Sequence, residues 1–374
     1  MTTATDPQSP RKPLATGPAA LLVAEREIST QLRSKAFLIS LAVMVVLVIG
    51  GLVGMNLVNS GDDEQEPVAV VNLQGEASTL EAAGLDPQGV TSEEEAEALL
   101  REGEVAAIIT SDSSSPAGLR VIGLDEEPTT IAEMLAITPT TEVLEPDSTE
   151  GPLRAVVALG FGLVFMVVAL GSGMMIVQNT IQEKQNRIVE LLLAAISARA
   201  LLAGKILGNS ALALAQAVVL GAAAAAGLML TGQQDVLDIL TVPMLWFVVF
   251  FIPGFVLVAA MFAASASLVS RQEDSGTVIT PTMMLVMAPY FVVVFFYNNT
   301  LAMTIASYVP FSAPVAMPLR MFFNEAVWFE PLLALGALIL FTALVMWLAA
   351  KIYSRSLLRT GQPVSLRTAL GRPD

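Results

Sequence analysis

Six long apolar segments, each free of charged residues, constrain the fold of this chain more than any other feature. An α-helix rises about 1.5 Å per residue, so roughly 20 residues cross the hydrocarbon core of a bilayer, which is about 30 Å thick. The sequence therefore predicts a mainly α, polytopic membrane protein with six transmembrane helices. The predicted spans are residues 36–58, 155–178, 206–230, 242–269, 277–297 and 332–350.

The fifth span is the one that the sequence defines least sharply. Pro281 and Pro289 interrupt it, and a proline removes a backbone hydrogen bond and bends a helix. Neighbouring helices can satisfy the freed carbonyl groups, so a kinked span is one interpretation. The other interpretation is that residues 277–330 form two re-entrant hairpins.

The basic residues indicate how the chain is oriented. Fifteen of the 19 Lys and Arg residues fall in the two tails and in the loops after the second and fourth spans, all on one side of the predicted membrane. Cytoplasmic loops carry the excess of Lys and Arg, so we expect both termini in the cytoplasm. Frequent Ala, and more Arg than Lys, indicate a GC-rich bacterial genome and hence a multi-pass protein of the bacterial plasma membrane.

Acidic residues are concentrated between the first two spans. Residues 59–152 hold 22 of the 34 Asp and Glu residues and two basic ones, so the net charge of −15 belongs to this block, and we expect no nucleic-acid partner. Three β-branched apolar runs and a Glu-rich helix, Glu93–Arg101 with Thr91 or Ser92 as its cap, predict a small α/β extracytoplasmic domain over residues 59–153. The three runs are Pro67–Asn72, Val105–Thr110 and Leu119–Ile122.

Three segments outside the spans are cytoplasmic in this topology. Residues 1–17 are rich in Thr, Pro and Ser and predict a disordered tail, and residues 353–374 form a second tail. Residues 18–35 predict an amphipathic helix that lies in the membrane interface, or else a plain extension of the first span. The apolar face of this helix consists of Leu21, Leu22, Ala24, Ile28 and Leu32, with Arg26, Glu27, Gln31 and Arg33 largely elsewhere.

The cytoplasmic segment after the second span, residues 180–203, is the most informative part of the sequence. Thr180 and Glu183 have the spacing of a capping box, which predicts that a new helix begins there, and Ser197 predicts a second cap. Charges of alternating sign lie along one face of this helix, and isoleucine and leucine residues form another. Two interpretations stay open: a helix that a partner pushes, or a surface helix with ordinary positive-inside charges.

Four motifs in this order resemble the sodium-efflux, NatB-like branch of ABC-exporter permeases. The large outer insertion between the first two spans also matches that family, so the resemblance covers nearly the whole chain. The motifs are Glu25-Arg-Glu with Arg33-Ser-Lys-Ala-Phe37, Glu183-Lys-x-x-Arg-x-x-Glu190-x-Leu-Leu, Leu201-Leu-Ala-Gly-Lys-Ile-Leu-Gly208, and Pro310-Phe-Ser-Ala-Pro-Val-Ala-Met-Pro-Leu-Arg-Met321.

The resemblance implies a role for each of these segments. Residues 18–35 would be the interfacial connecting helix, residues 180–203 the coupling helix on which a cytoplasmic ATPase docks, and residues 298–330 a re-entrant outer segment that closes the pathway. A second permease copy or a paralogue, together with two ATPase subunits, would complete the exporter. The implied ATPase contacts are Glu183, Lys184, Arg187, Glu190 and Arg199, and the implied outer gate contains Pro310, Pro314 and Pro318.

The three gate prolines also bear on local structure. A proline in a helix interior removes a hydrogen bond and clashes with the preceding turn. We therefore expect no regular helix around them, and the segment is either a re-entrant gate or a Pro-rich outer loop.

The chain does not contain the residues that would let it power transport by itself. A nucleotide-binding loop needs Gly-x-x-x-x-Gly-Lys-Ser/Thr, but Arg199 stands where the first glycine should be and Ile206 follows Lys205. With no His, no Cys and no carboxylate in the predicted spans, neither an ion-coupled transporter nor an intramembrane enzyme is favoured. We expect no cofactor in this chain, with ATP and magnesium on the partner ATPase. The alternative is a membrane receptor or scaffold that senses through the outer domain.

Overall fold

The structure is a computed structural model that describes residues 15–61, 66–71, 80–81, 83–112, 115, 118–124, 128–135, 151–357 and 371. The α-helices are α1 (Thr16–Leu32), α2 (Lys35–Gly61), α3 (Glu93–Glu102), α4 (Thr129–Met134), α5 (Gly151–Gln185), α6 (Ile188–Ala195), α7 (Ala198–Leu230), α8 (Gln234–Ser267), α9 (Ser275–Phe296), α10 (Thr300–Tyr308), α11 (Ala313–Phe322) and α12 (Glu330–Ser356). The strands are β1 (Glu66–Val71), β2 (Leu85–Val90), β3 (Ala107–Ser111) and β4 (Leu119–Ile122). Contacts divide the chain into two compact units, residues 1–50 with 147–374 and residues 51–146.

Six of the helices are long and apolar enough to cross a membrane, which confirms the predicted number of spans. They are α2, α5, α7, α8, α9 and α12. The fifth is one continuous helix through Pro281 and Pro289, which confirms a span there, whereas the alternative of a re-entrant hairpin over this part is wrong. Each proline removes only its own N–H, and α9 is supported by packing against α5 and α8.

The central helix of the first unit is α8, which packs against α5, α7, α9, α11 and α12. Of its most apolar stretch 67% is buried, whereas the corresponding stretch of α2 is only 6% buried. Phenylalanines account for much of this burial, since Phe250, Phe251 and Phe255 are completely buried. Phe165 of α5 meets Phe251 edge to face, with the ring centroids 5.7 Å apart, a favourable geometry for aromatic rings. Aromatic packing on α8 therefore fixes the positions of the spans around it.

Small residues bring α1 close to α7. A Cβ atom on Gly204 would lie 2.6 Å from the carbonyl oxygen of Ala20, and one on Gly208 would lie 2.9 Å from the carbonyl oxygen of Ala24. Residues four apart share one face of a helix, so Ala20 with Ala24 and Gly204 with Gly208 form two matching smooth faces. Such faces let two helix backbones approach closely.

The three leucines of the predicted apolar face of α1 point away from the rest of the protein. Leu21, Leu22 and Leu32 are exposed by 66%, 58% and 50%, whereas Glu27 and Gln31 are buried. The leucines are too large for the narrow gap beside the two glycines, so the alanine face turns inward. An outward apolar face is also what a helix in the membrane interface requires, and that location stays a prediction.

The second unit contains a four-stranded sheet, which confirms an α/β domain between the first two spans. The strand order is β2-β1-β3-β4, with β1 parallel to β2 and β3, and β4 antiparallel to β3. Side chains bury both faces of the sheet: Val68, Val70, Leu85 and Ile109 lie on one face, and Ala69, Val71 and Ile108 lie against Ala96 and Leu100 of α3 on the other. Ser92 caps α3 by accepting a hydrogen bond from the Glu95 N–H at 3.2 Å, as predicted.

The sequence did not predict β2, which pairs with β1 from Glu66↔Leu85 to Val71↔Val90. Its sequence, LDPQGV, contains a proline and a glycine, both of which are depleted in strands. A proline is tolerated in an edge strand because an edge has N–H positions that need no partner. Tertiary pairing with β1 therefore outweighs the local preference.

Two predicted boundaries at the ends of the chain are corrected. α1 begins at Thr16, inside the predicted tail of residues 1–17, and α12 continues to Ser356, beyond the predicted boundary at residue 352. The rest of the predicted tails, residues 1–14 and most of residues 358–374, lies outside the described residues.

Replacing Gly204 with Leu should force α1 away from α7, because the new side chain would collide with Val23 and with the Ala20 carbonyl. We expect the free energy of unfolding to fall by about 1–3 kcal/mol, the usual cost of overpacking. Thermal unfolding of the detergent-solubilised chain measures this. The matched control is Gly171→Leu, since a Cβ atom there meets nothing within 4 Å. Equal losses in both variants would contradict the close approach.

Candidate functional site

Two helix breaks divide the segment that follows the second span. α5 ends at Gln185, a turn follows at Asn186 and Arg187, and α6 is eight residues long. Ile196 and Ser197 then separate α6 from α7. This part of the chain is therefore a short helix with a sharp change of direction at each end.

The second break has the predicted cap, and the first does not. The Ser197 hydroxyl accepts a hydrogen bond from the Ala200 N–H at 3.2 Å, as expected. The prediction that a capping box at Thr180 begins a new helix is wrong, because Thr180 lies inside α5 and its hydroxyl donates to the Ile176 carbonyl at 2.7 Å. A threonine hydroxyl within a helix is satisfied by this bond to the preceding turn, so the apolar helix continues past it.

The backbone of Arg187 makes the first break sharp. Its φ of 57° places it in the left-handed region, which a residue with a Cβ adopts at a cost of about 1–2 kcal/mol. Strained backbone of this kind persists only where the surrounding structure holds it, and it is frequent at functional sites. The chain therefore keeps this turn although Arg is a poor residue for it.

Four charged side chains meet near the first break, and we call Arg26, Glu27, Glu183 and Lys205 the inner charge cluster. Glu183 lies 2.6 Å from Arg26 through Oε1 and 2.9 Å from the Lys205 ammonium through Oε2. The Lys205 ammonium is also 3.1 Å from the Glu27 carboxylate, and Arg26 reaches the same carboxylate at 3.0 Å. The cluster joins α1, α5 and α7 with two positive and two negative charges.

The charges compensate one another where water is excluded. The Lys205 and Glu27 side chains are exposed by only 1% and 5%. Burial alone would raise the pKa of the Glu27 carboxyl, but the Lys205 ammonium and the hydrogen bonds from Arg26 and Lys205 outweigh it and hold that pKa below its ordinary value. Glu27 is therefore ionised at neutral pH and keeps its partners charged. Oε2 of Glu183 has the Lys205 ion pair but no well-aligned hydrogen bond, so charge alone holds that contact.

Lys184 fastens α5 to two further helices. Its ammonium donates to the carbonyl oxygens of Ser267 at 2.8 Å and Ser356 at 3.4 Å, the last residues of α8 and α12. The final carbonyls of a helix have no partner within the helix, and they form the negative end of its dipole. The hydroxyls of Ser267 and Ser356 are 2.7 Å apart and complete the contact. A single ammonium thus holds three helix ends together.

The five residues that the resemblance implied as ATPase contacts separate into two groups. Glu183 and Lys184 are exposed by only 8% and 4% and are occupied by partners within the chain, so they offer no surface for direct contact. Arg187, Glu190 and Arg199 are exposed. A cleft of about 710 Å³ lies beside Arg187 and Glu190, and its other lining residues are Lys184, Gln185, Ser270, Arg271, Gln272 and Glu273.

The outer-gate prolines lie in a helix–turn–helix rather than in irregular chain. Pro310 lies in the turn between α10 and α11, while Pro314 and Pro318 belong to α11, so the expectation of no regular helix is wrong. Pro314 lies in the first turn, where its missing N–H would be unpaired in any case. Pro318 removes one backbone hydrogen bond from α11, and its side chain is buried. Pro314 packs directly against Gly254 of α8. The role of these prolines as a gate stays a prediction.

The buried charges in the span helices were not predicted from the sequence. The predicted third span begins at residue 206, one residue after Lys205, whereas α7 begins at Ala198 and holds Lys205 in its interior. α5 likewise extends past its predicted end and contains Glu183. The expectation of charge-free spans holds for the predicted windows and not for the helices. A signal did exist, because Lys205 lies between the glycines of a Gly-x-x-x-Gly sequence.

The described residues offer no cluster of metal ligands, and the Gly204-Lys205 sequence does not form a phosphate-binding loop. In the part of the chain that the structure describes, no group of three or more His, Cys, Asp or Glu side chains could hold a metal ion. Gly204 and Lys205, the nearest approach in the sequence to a phosphate-binding loop, lie inside α7. Backbone N–H groups inside a helix are already paired with carbonyls and cannot cradle a phosphate.

The family profile of the ABC-2 family transporter proteins matches residues 35–351. The chain belongs to this family. It is therefore an ABC permease, a multi-pass membrane protein of a family whose members are membrane transport components. The match extends from the first span to the last and includes the helix breaks together with Glu183 and Lys205.

Two relatives extend the comparison. The chain is 24% identical to the uncharacterized protein YhaP of Bacillus subtilis over 390 residues, which cover 88% of the chain and 93% of YhaP. It is 29% identical to the uncharacterized protein MJ1024 of Methanocaldococcus jannaschii over 221 residues, 58% of the chain and 54% of MJ1024, so the chain spans about half the length of that relative. No solved structure matches the chain. These matches establish the family and do not single out its NatB-like branch.

Replacing Lys205 with Met should leave the carboxylates of Glu27 and Glu183 with too little positive charge. We expect a loss of about 3–5 kcal/mol in the free energy of unfolding, the usual result of removing one partner from a buried ion pair. Adding Glu27→Gln returns the cluster to neutrality and should recover part of that loss. Thermal unfolding of the single and double variants measures the coupling.

The exposed pair Arg101 and Glu97, 2.8 Å apart on α3, serves as the control. Arg101→Met should cost less than about 1 kcal/mol, because an exposed ion pair contributes little. Two results would show that the inner charge cluster does not hold the three helices together. One is a loss of stability in Lys205→Met as small as that in Arg101→Met. The other is a double variant that loses as much stability as the Lys205→Met and Glu27→Gln variants lose in sum.

Proposed function

We propose that the chain is the permease subunit of an ABC exporter, and that a separate cytoplasmic ATPase drives outward transport by docking on residues 180–203. The observation that carries the proposal is an exposed, charged helix break next to the inner charge cluster, in a chain of the ABC-2 family. A receptor or scaffold, the alternative that the sequence left open, has no comparable support from the family match.

The exposed charged residues of segment 180–203 are suited to binding a partner. Arg187, Glu190 and Arg199 supply charges of both signs on the surface, and complementary charges across an interface determine its register and its specificity. The neighbouring cleft adds Arg271 and Glu273 from the loop after α8. In this proposal the ATPase contacts both the break and that loop.

Glu183 and Lys184, the buried charged residues of segment 180–203, are suited to transmitting the movement of that partner. The inner charge cluster ties α5 to α1 and α7, and Lys184 ties α5 to the ends of α8 and α12. A push on α6 therefore reaches five helices together rather than bending one of them. Glu183 and Lys184 thus act in coupling through the helices they join, without contacting the ATPase.

The remaining parts of the proposal follow from the basic residues and from the family. Both termini and residues 180–203 face the cytoplasm of a bacterial cell, and the α/β domain faces outward. Two permease copies, or one copy and a paralogue, work with two ATPase subunits that bind ATP and magnesium.

Replacing exposed charges at the break should release the ATPase while the permease stays folded. We expect Arg187→Glu and Glu190→Lys each to weaken ATPase binding about tenfold, which corresponds to about 1.4 kcal/mol. The measurement is co-purification of the tagged chain from its own cells in mild detergent, with ATP hydrolysis in the eluate as the readout. Arg101→Glu, on the α/β domain, is the matched control and should leave binding unchanged.

Two variants distinguish the effect of the Arg187 charge from the effect of its left-handed backbone conformation. Arg187→Asn removes the charge but keeps a residue that tolerates the left-handed conformation, whereas Arg187→Val disfavours that conformation as well. Both should weaken binding, and only the valine variant should also lower the thermal midpoint. A chain that neither binds nor stimulates an ATPase, or a break whose charge reversals change nothing, would contradict the proposal.

A further inference from the structure

A second set of four charged side chains lies at the opposite end of α5 from the inner charge cluster. Arg154 lies in the first turn of α5, Arg320 is in α11, Glu325 follows α11, and Glu330 begins α12. Arg154 and Glu183 lie on the same helix about 43 Å apart, because an α-helix rises about 1.5 Å per residue. We call these four residues the second charge cluster. Arg320 belongs to the last of the four motifs, and none of the four residues is used in the proposed docking.

Arg320 is the fixed member of this cluster. Its guanidinium is 2.8 Å from the Glu330 carboxylate and donates to the Glu325 carbonyl at 3.0 Å and to the Ser307 hydroxyl at 2.9 Å. The side chain is only 4% exposed. Its bonds join α10, α11 and α12 into one unit, and freeing it would strand a buried charge.

Arg154 connects that unit to α5. Its guanidinium lies 3.1 Å from the Glu325 carboxylate and 4.5 Å from the centre of the Phe323 ring. The Arg154 and Glu325 side chains are 12% and 17% exposed, so this pair lies nearer to the surface than Arg320 does.

A local turn fixes the position of Glu325. Asn324 has a φ of 56°, and the Glu325 N–H donates to the Arg320 carbonyl at 2.8 Å, which is the pattern of a helix that ends with a left-handed residue. Asn tolerates this conformation better than most residues do. The end of α11 therefore presents Glu325 at a defined place beside α5.

We propose that the Arg154–Glu325 ion pair is a latch that holds the unit of α10, α11 and the start of α12 against α5, and that it opens when substrate leaves at this end of the spans. The proposal rests on the proposed function for its place in a transport cycle. Arg320 keeps α10, α11 and α12 together while the unit moves, so the unit parts from α5 without coming apart.

The difference in burial decides which pair opens. An ion pair near the surface gains hydration when it separates, and this gain offsets much of the lost attraction. The Arg320–Glu330 pair has little access to that compensation, because Arg320 is almost completely buried and also holds Ser307 and the Glu325 carbonyl. Opening is therefore expected at Arg154–Glu325 and not at Arg320–Glu330.

Access to the face of α5 that carries Arg154 tests the latch. The chain contains no cysteine, so a single Ala158→Cys, one turn after Arg154 on the same face of α5 and only 1% exposed, reports opening through its reaction with a water-soluble maleimide. In detergent and without ATPase, adding Arg154→Met or Glu325→Gln should make labelling about tenfold faster, the factor expected when a partly buried ion pair is lost. Exchanging the charges, with Arg154→Glu and Glu325→Arg together, should reverse most of that increase.

Two controls separate the latch from general loosening. Arg101→Met and Glu97→Gln remove an exposed ion pair on α3 and should leave the labelling rate unchanged. Unchanged labelling in Arg154→Met and Glu325→Gln would overturn the latch. An exchanged variant that labels as fast as the single variants would also overturn it, because packing damage rather than the ion pair would then explain the increase.

The role of the latch in transport has its own measurement. In the complex with the ATPase, adding ATP should speed labelling of the otherwise unaltered Ala158→Cys chain. If the complex forms and hydrolyses ATP but labelling stays constant, the latch has no part in the cycle and the proposal is overturned while the docking proposal stands. If no complex forms, the docking proposal fails, and the labelling without ATPase still decides whether the ion pair holds α10 and α11 closed.

Discussion

The structure of the helical unit depends on how the charges of Glu183 and Lys205 are kept out of water. An isolated buried charge costs several kcal/mol, so each needs a partner of opposite sign within reach. Arg26 and Glu27 complete the set, and they can do so only if α1 lies directly on α7. Gly204 and Gly208 permit that approach. Charge pairing and small-residue packing are thus two requirements of one contact, and together they explain why the alanine face of α1 turns inward and its leucines outward.

α5 is held by charged side chains near both of its ends. Near one end it carries Glu183 and Lys184, which tie it to α1, α7, α8 and α12, and near the other it carries Arg154, which reaches the segment after α11. Between these ends most of its buried side chains are apolar, and Ser172 lies 3.5 Å from the buried Gln216 of α7. In our account the inner ends of the helices move as one block, and a movement imposed at the helix break is expressed at the opposite end.

The sequence predicts those features that local composition decides. The length of the apolar segments gives six spans, and the caps of Ser92 and Ser197 depend on residues three positions away. The sequence fails where partners distant in the chain decide the outcome. β2 contains Pro87 and Gly89 and forms because β1 offers an edge. Lys205 falls outside a predicted span because hydropathy penalises a charge without regard to the carboxylates that pair with it.

The central claim is that the inner ends of the spans form one block while the opposite end opens, and distances between spin labels in the ATPase complex test it most directly. The cysteine-free chain accepts label pairs at the exposed positions Leu22 and Ser354 for the inner end and Leu159 and Ile305 for the other, with labelled chain diluted in unlabelled chain. The account predicts that ATP lengthens the distance between positions 159 and 305 and leaves the distance between positions 22 and 354 unchanged. A change in the inner distance with a constant outer distance would contradict it.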